Sequence, residues 1–419
     1  MAELLYVLYL LSGITKVFLI FFLGDAFAER FNITLIFALL LVIIIGFHWL
    51  KNLYFTNKIF FARGSLLTSG LMVSLYLWMI ISLSYTPSPS YAYTKTFLFL
   101  TDLVAFLFPL AYKDFNFQRF ITFFILIGTC CIVLYLSFVP RNYSSYISEN
   151  LGISGKYLEI SHLAALDVLL VVLLHPYLEI NQWIKLGFIG VNLAAVMIAG
   201  ARGPLIFMIL ALALYVISHP RLLSRFLGRW SLKKILAIGI SIIILAVGLY
   251  KTLDNYSDNI ERALGRLSLV TDAGSSSLSV RFDQIYFAVD KIVENSTNFL
   301  FGSGIGSFGI LYAGEDGRLY PHNSILETWF ELGVVGVMIL LLFFLFYIIK
   351  IKLNSPSFYI FFYLLLNSLK SSSLVDSRIM FGIFACLVVF TNHLQLQYSE
   401  YSEYSEYSEY RNNEYKNNE

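Results

Sequence analysis

Of the 419 residues, 58% are hydrophobic, 17% aromatic and only 13% charged, and the mean hydropathy is +0.73. A soluble globular domain carries about 45–50% apolar and about 25% charged residues, so this chain is solvated mainly by lipid, which excludes most soluble enzyme classes. The 29 Lys and Arg against 27 Asp and Glu leave a net charge of +2, too balanced for a nucleic-acid-binding protein or an acidic tail protein.

A helix that crosses the hydrocarbon core needs ~20 apolar residues, each rising ~1.5 Å. About twelve such runs are read between charged or Pro/Gly-rich breaks: Leu4–Phe22, Phe31–His48, Ser65–Leu83, Phe97–Ala111, Ile121–Val139, Leu158–Leu174, Ile184–Ala199, Pro204–Ser218, Ile235–Tyr250, Trp329–Ile349, Phe358–Leu369 and Met380–Thr391. The first lacks a basic leader and a small-residue cleavage site and is read as a retained span. Cys130, Cys131 and Cys386 lie inside apolar runs without metal or disulfide spacing, and read as small apolar side chains. The chain thus divides into residues 1–250 with spans one to nine, a large outer loop over 251–328, spans ten to twelve over 329–394, and a tail over 395–419.

Lys and Arg in short loops resist translocation. With the N-terminus cytoplasmic, the inside loops hold thirteen of them and the short outside loops seven: Arg30, Lys95, Arg141, Lys156, Arg202, Lys370 and Arg378. The cluster from Arg221 to Lys234 is the strongest anchor and puts the long loop outside, with both termini cytoplasmic. That loop has periodic apolar residues and is expected to fold as short outer-face helices. The tail repeats Tyr-Ser-Glu four times from Tyr398 to Glu409. A period of three matches neither a helix nor a strand face, so no packed structure is expected there. Repeat number is expected to vary between isolates with little effect. Truncation at Gln397 checks this: activity should persist, and its collapse at unchanged protein level would refute a dispensable tail.

Three stretches carry chemistry. Gly200-Ala201-Arg202-Gly203-Pro204 joins two apolar runs, and proline at a helix start after glycine makes a sharp hairpin with free backbone N–H groups at the outer mouth. Arg202 sits where the helix dipole also favours an anion, or where an interfacial arginine reaches headgroups. Arg281 follows serines that suggest a helix start, and either binds an anion or pairs with Asp283. Tyr320-Pro321-His322-Asn323-Ser324-Ile325-Leu326-Glu327 ends the long loop. Asn323 or Ser324 can cap the following span, fixing the depth of His322, which can accept a proton from a hydroxyl. Glu327, one turn on, can orient the site or act as a second acid. His162 is a weaker second candidate.

Gly304-Ile305-Gly306-Ser307-Phe308-Gly309 matches GxGxxG without a βαβ unit, so it is read as a flexible turn or as backbone N–H groups near an anion, not as a dinucleotide site. No acidic pair at metal-ligand spacing occurs in the outer loops, so arginines are expected to neutralise any anionic leaving group. No cofactor or metal is called for.

About twelve spans, the Gly-Ala-Arg-Gly-Pro hairpin and a large outer loop ending in His-Asn-x-x-x-Glu together resemble the O-antigen ligase and O-antigen polymerase superfamily of bacterial inner-membrane glycosyltransferases. The likeness covers most of the chain up to about Thr391, and its specificity comes from the order of short motifs. It implies an all-α, GT-C-like polytopic membrane protein with a periplasmic active site that transfers a glycan from undecaprenyl diphosphate to a hydroxyl, without metal or nucleotide sugar. It further implies that Arg202 and Arg281 hold the diphosphate, with Arg378 a further contact, that His322 is catalytic, and that Gly203 and Asn323 support them. The implied partners are the undecaprenyl-diphosphate-linked donor and acceptor, membrane lipid and a chain-length regulator protein, with no nucleic acid. Polymerase is favoured over ligase on the Pro-His-Asn-x-x-Leu-Glu stretch and the aromatic outer surface. A lipid-linked sugar transporter or flippase would bury more ionisable groups at mid-membrane than Lys16, Asp102 and Asp167.

Overall fold

The computed structural model describes residues 1–16, 32–56, 60–62, 64–138, 156–199, 201–219 and 276–395. Among these every regular element is helical. In chain order they are α1 (Ala2–Leu10), α2 (Ile33–Thr56), α3 (Leu66–Ser82), α4 (Tyr91–Ala111), α5 (Phe117–Phe138), α6 (Lys156–Leu173), α7 (Gln182–Ala199) and α8 (Arg202–Ser218). Then follow α9 (Ser276–Val293), α10 (Ser296–Phe301), α11 (Ser307–Ala313), α12 (Ser324–Ile351), α13 (Pro356–Ser371) and α14 (Arg378–Gln395).

Eleven of the expected runs fall wholly or in part on these helices, because an apolar run can satisfy its backbone in lipid only by forming one. The run Ile235–Tyr250, the basic cluster Arg221–Lys234, the loop up to residue 275 and the Tyr-Ser-Glu tail lie outside the described residues. Six helices are long and apolar enough to cross a membrane, namely the segments Ile33–Phe55, Tyr91–Ala111, Phe117–Tyr135, Gln182–Ala199, Ser324–Ile351 and Arg378–Gln395, with α3 and α8 shorter. The described residues are therefore all-helical in their regular elements and those of a polytopic membrane protein, with six crossings by length among them against about twelve expected from composition.

Burial sorts the helices. In α6 the residues from Ile160 to Val171 are buried apart from a half-buried His162, whereas α2 leaves Leu39, Ile43, Phe47 and Leu50 exposed. A helix apolar all round belongs in lipid or in a core, and these two show both outcomes.

The layer of α9 to α11 shares a small core with the start of α12: Ala288, Ile292, Phe308 and Phe330, with Phe287, Tyr312 and Trp329 packed against it. It is fastened to the bundle where α12 breaks at Gly333 (φ 67°, ψ −170°). The carbonyls beside the break accept from outside the helix: Phe330 O from Ser303 N (2.8 Å), Glu331 O from Gly304 N (2.9 Å) and Leu332 O from Trp78 Nε1 (2.9 Å). The glycine-rich run is thus a clamp. Gly302 and Gly304 hold φ of 79° and 91°, and a Cβ would lie 2.4 Å from the Glu331 backbone and 2.5 Å from Thr86 Cα respectively. The expected flexible turn is thus a fixed one, in which Ser303 and Gly304 donate to α12 and Ile305 N to Ser82 Oγ (3.2 Å), while the Gly306 N–H bonds the Glu331 carboxylate. Asp316 completes the fastening at the start of α4, accepting from Ser90 N (2.9 Å), Ser90 Oγ (2.6 Å) and Ser88 Oγ. These donors hold its carboxyl down to about 2, the seryl hydroxyls most of all.

Candidate active site

His322 stands immediately before α12, in the left-handed region at φ 54°, which few residues other than glycine adopt. Asn323 caps that helix, its Oδ1 accepting from Ile325 N (3.0 Å) and Leu326 N (2.9 Å), as its residue type predicts. Ser324 is not the cap. Its hydroxyl meets Ser368 Oγ at 2.7 Å and joins the start of α12 to the last turns of α13. Two residues beyond Ser368, the Lys370 ammonium lies against Gly203, where a Cβ would come within 2.7 Å of Nζ. The start of α8, the end of α13 and the start of α12 therefore meet.

Arg281 enters from α9, in the second turn as the serines before it predict. Its charge acts on both His322 and Lys370, and that of Arg202 also acts on Lys370. Arg202, Arg281, Lys370 and His322 accordingly form one group from four elements. Among the described residues no carboxylate pairs with Arg202, Arg281 or Lys370, so the salt bridge from Arg281 to Asp283 is not formed. α8 opens at Arg202 behind Ala201, which offers no side-chain cap, and its first turn holds no acid. Free N–H groups at a helix start attract an anion.

The His322 ring packs against Tyr320 at 4.7 Å between centroids. Burial, then the Arg281 charge, push its pKa down to about 4, only partly opposed by Glu327. The ring is therefore neutral near pH 7 and can accept a proton. Its Nδ1 is buried and has no partner among the described residues.

Glu327 is committed elsewhere. It is buried, with Oε1 accepting from Lys95 Nζ (2.5 Å) and Ser373 Oγ (2.7 Å) and Oε2 from Leu374 N (2.8 Å). Of the two roles expected of it, the geometry corresponds to the orienting one. Lys95 also binds Glu331 (2.7 Å), and all three side chains are no more than 2% exposed. Lys95 was expected among outside-loop charges; it lies in the second turn of α4 and is the centre of a buried triad. The turn that Glu327 holds leads to Asp376, which pairs with Arg318 (2.5 Å) and thereby ties down the segment before Tyr320 and His322.

Arg378 does not join the group. Its guanidinium lies over the Tyr9 ring (5.3 Å), its Nη2 faces Gly13, and its charge acts on Asp102 and Tyr9. Among the described residues the charges acting on His322 are those of Arg281 and Glu327, and those acting on Lys370 are Arg281 and Arg202. The place of Arg378 at the start of α14 turns it toward α1 and α4. His162 is also occupied structurally: its ring packs on Tyr363 (5.3 Å), with Asn367 in bonding reach.

Residues 187–341 match a family model described as O-antigen ligase. The matched segment carries the Arg202 hairpin, Arg281, His322 and Glu327. No curated protein matches the chain.

Proposed function

We propose that this chain, a member of the O-antigen polymerase and ligase superfamily, is an O-antigen polymerase. It joins undecaprenyl-diphosphate-linked oligosaccharide repeat units by metal-independent, inverting glycosyl transfer at the periplasmic face of the bacterial inner membrane, with both termini cytoplasmic. The observation that carries this reading is that Arg202 and Arg281, neither paired with an acid among the described residues, both act on Lys370, while Arg281 also acts on an imidazole held neutral.

The acceptor hydroxyl attacks the anomeric carbon from the face opposite the diphosphate, His322 takes the hydroxyl proton, and the anomeric C–O bond breaks with its electron pair leaving on the diphosphate. Charge grows on that leaving group, so guanidiniums already in place stabilise the transition state more than the ground state. Arginine suits the task because its planar fork binds two phosphate oxygens at once. The lipid tail remains among the spans, which explains a site at the membrane rim. A chain-length regulator protein would act on this elongation step.

The test is extension of a defined lipid-linked repeat by purified protein with no membrane gradient, which also separates an enzyme from a transporter. Wild type is expected to elongate. Arg202→Lys is expected to slow elongation by about ten- to hundredfold at unchanged protein level, because lysine keeps the charge and loses the fork. Wild-type rates from that variant would remove Arg202 from the mechanism. The description of the matching family favours a second reading, ligation of the polymer to lipid A core. A deletion strain separates the two: lipopolysaccharide capped with a single repeat identifies a polymerase, and rough lipopolysaccharide with accumulated lipid-linked polymer a ligase.

A further inference from the structure

Lys370 stands in the last turn of α13, exposed, with Nζ over the Phe207 ring at 5.7 Å from its centroid. Those two features suit a cation: a helix C-terminus carries partial negative charge, and an aromatic face attracts an ammonium. Its other surroundings do not. The same Nζ rests against Gly203 in the first turn of α8, the positive end of that helix. The charges of Arg281 and Arg202 both act on it, and no acid pairs with it among the described residues. Three cations and a helix start whose fields overlap repel one another, and an anion that enters is attracted by each of them, which offsets that repulsion. Gly203 is what permits the approach, since any side chain there would meet the ammonium.

We infer that Lys370 is a third ligand of the lipid-borne diphosphate, seated on Gly203 within the field of both arginines. The inference rests on the proposed reading of the site and adds to it a point charge that selects a diphosphate over a monophosphate. Two phosphoryl groups give Arg202 and Arg281 one face and leave further oxygens for an ammonium, which donates three hydrogen bonds without an orientation requirement.

The experiment measures binding of undecaprenyl diphosphate and undecaprenyl monophosphate to the full chain in nanodiscs, for wild type, Lys370→Met, Lys370→Arg and Gly203→Ala, with thermal unfolding as the check on folding. Wild type is expected to prefer the diphosphate. Lys370→Met should weaken diphosphate binding by about ten- to hundredfold, the range of one or two charge-assisted contacts, with a smaller effect on the monophosphate. Lys370→Arg should restore most of that loss. Gly203→Ala should weaken it without removing any charge, because the new methyl displaces Nζ. Unchanged diphosphate affinity in a folded Lys370→Met protein overturns the assignment of Lys370 and leaves the arginines standing. Equal affinity of wild type for both lipids, by contrast, overturns the reading of the site itself. Should Lys370→Met fail to fold, Gly203→Ala, which keeps the lysine, decides the matter by the same measurement.

Discussion

Replacing His322 by asparagine is expected to lower the elongation rate by about 10²–10⁴-fold while the protein remains folded, the range typical of losing a positioned general base. Asparagine is the informative substitute. His322 holds φ 54°, a conformation asparagine accepts more readily than alanine does, so lost activity cannot be assigned to a distorted start of α12. The pH profile supplies a second reading of the same residue. With burial and Arg281 pushing the imidazole down to about 4, the neutral form prevails from well below pH 6.5 upward, and the acid limb of kcat/KM should lie near pH 4–5. A diphosphate bound to Arg281 cancels the positive charge that helps depress the ring, so the acid limb of kcat should move to higher pH than that of kcat/KM. An acid limb of kcat/KM at 6.5 or above, or wild-type elongation by His322→Asn, would take the base away from His322.

The parts of this arrangement that could be read from the chain are those set by local chemistry. Apolar runs became helices because lipid leaves the backbone no other choice. The cap by Asn323 and the position of Arg281 in an early helical turn depend on residues within one turn of each, and both followed from composition and order. What distance decides was invisible. Lys95 near the start of a span looks like a loop charge, and only the fold brings to it Glu327 and Glu331, 232 and 236 positions away. Glycines at 302 and 304 look like a phosphate loop because both uses need positive φ; the partner that settles the matter, the broken turn of α12, is some thirty residues downstream. Arg378 followed the right local pattern at the end of a span and still faces Tyr9, because the direction of a side chain around a helix is fixed by which neighbours pack there. Lys370 carries no motif at all. Its meaning arises from Gly203 and two arginines that come from other elements.

The buried triad yields the largest expected effect on stability. Lys95→Met leaves Glu327 and Glu331 facing each other in a site where neither is more than 2% exposed, and breaking such a pair by removing one partner costs about 3–5 kcal/mol. The midpoint of unfolding in mild detergent should fall accordingly. Elongation should fall with it, because Glu327 holds the Ser373–Leu374 turn and stands one helical turn beyond the cap that fixes His322. A companion change separates the charge from the packing. In Lys95→Met with Glu331→Gln, one carboxylate is gone and Glu327 keeps its bonds to Ser373 and Leu374, so part of the lost stability should return, with a coupling between the two sites of about 0.5–3 kcal/mol. Strictly additive effects would mean that Lys95 is a filler of space and not the counter-ion on which the α4 to α12 contact depends. A Lys95→Met protein that unfolds at the wild-type midpoint would deny the triad any part in holding the catalytic end of α12.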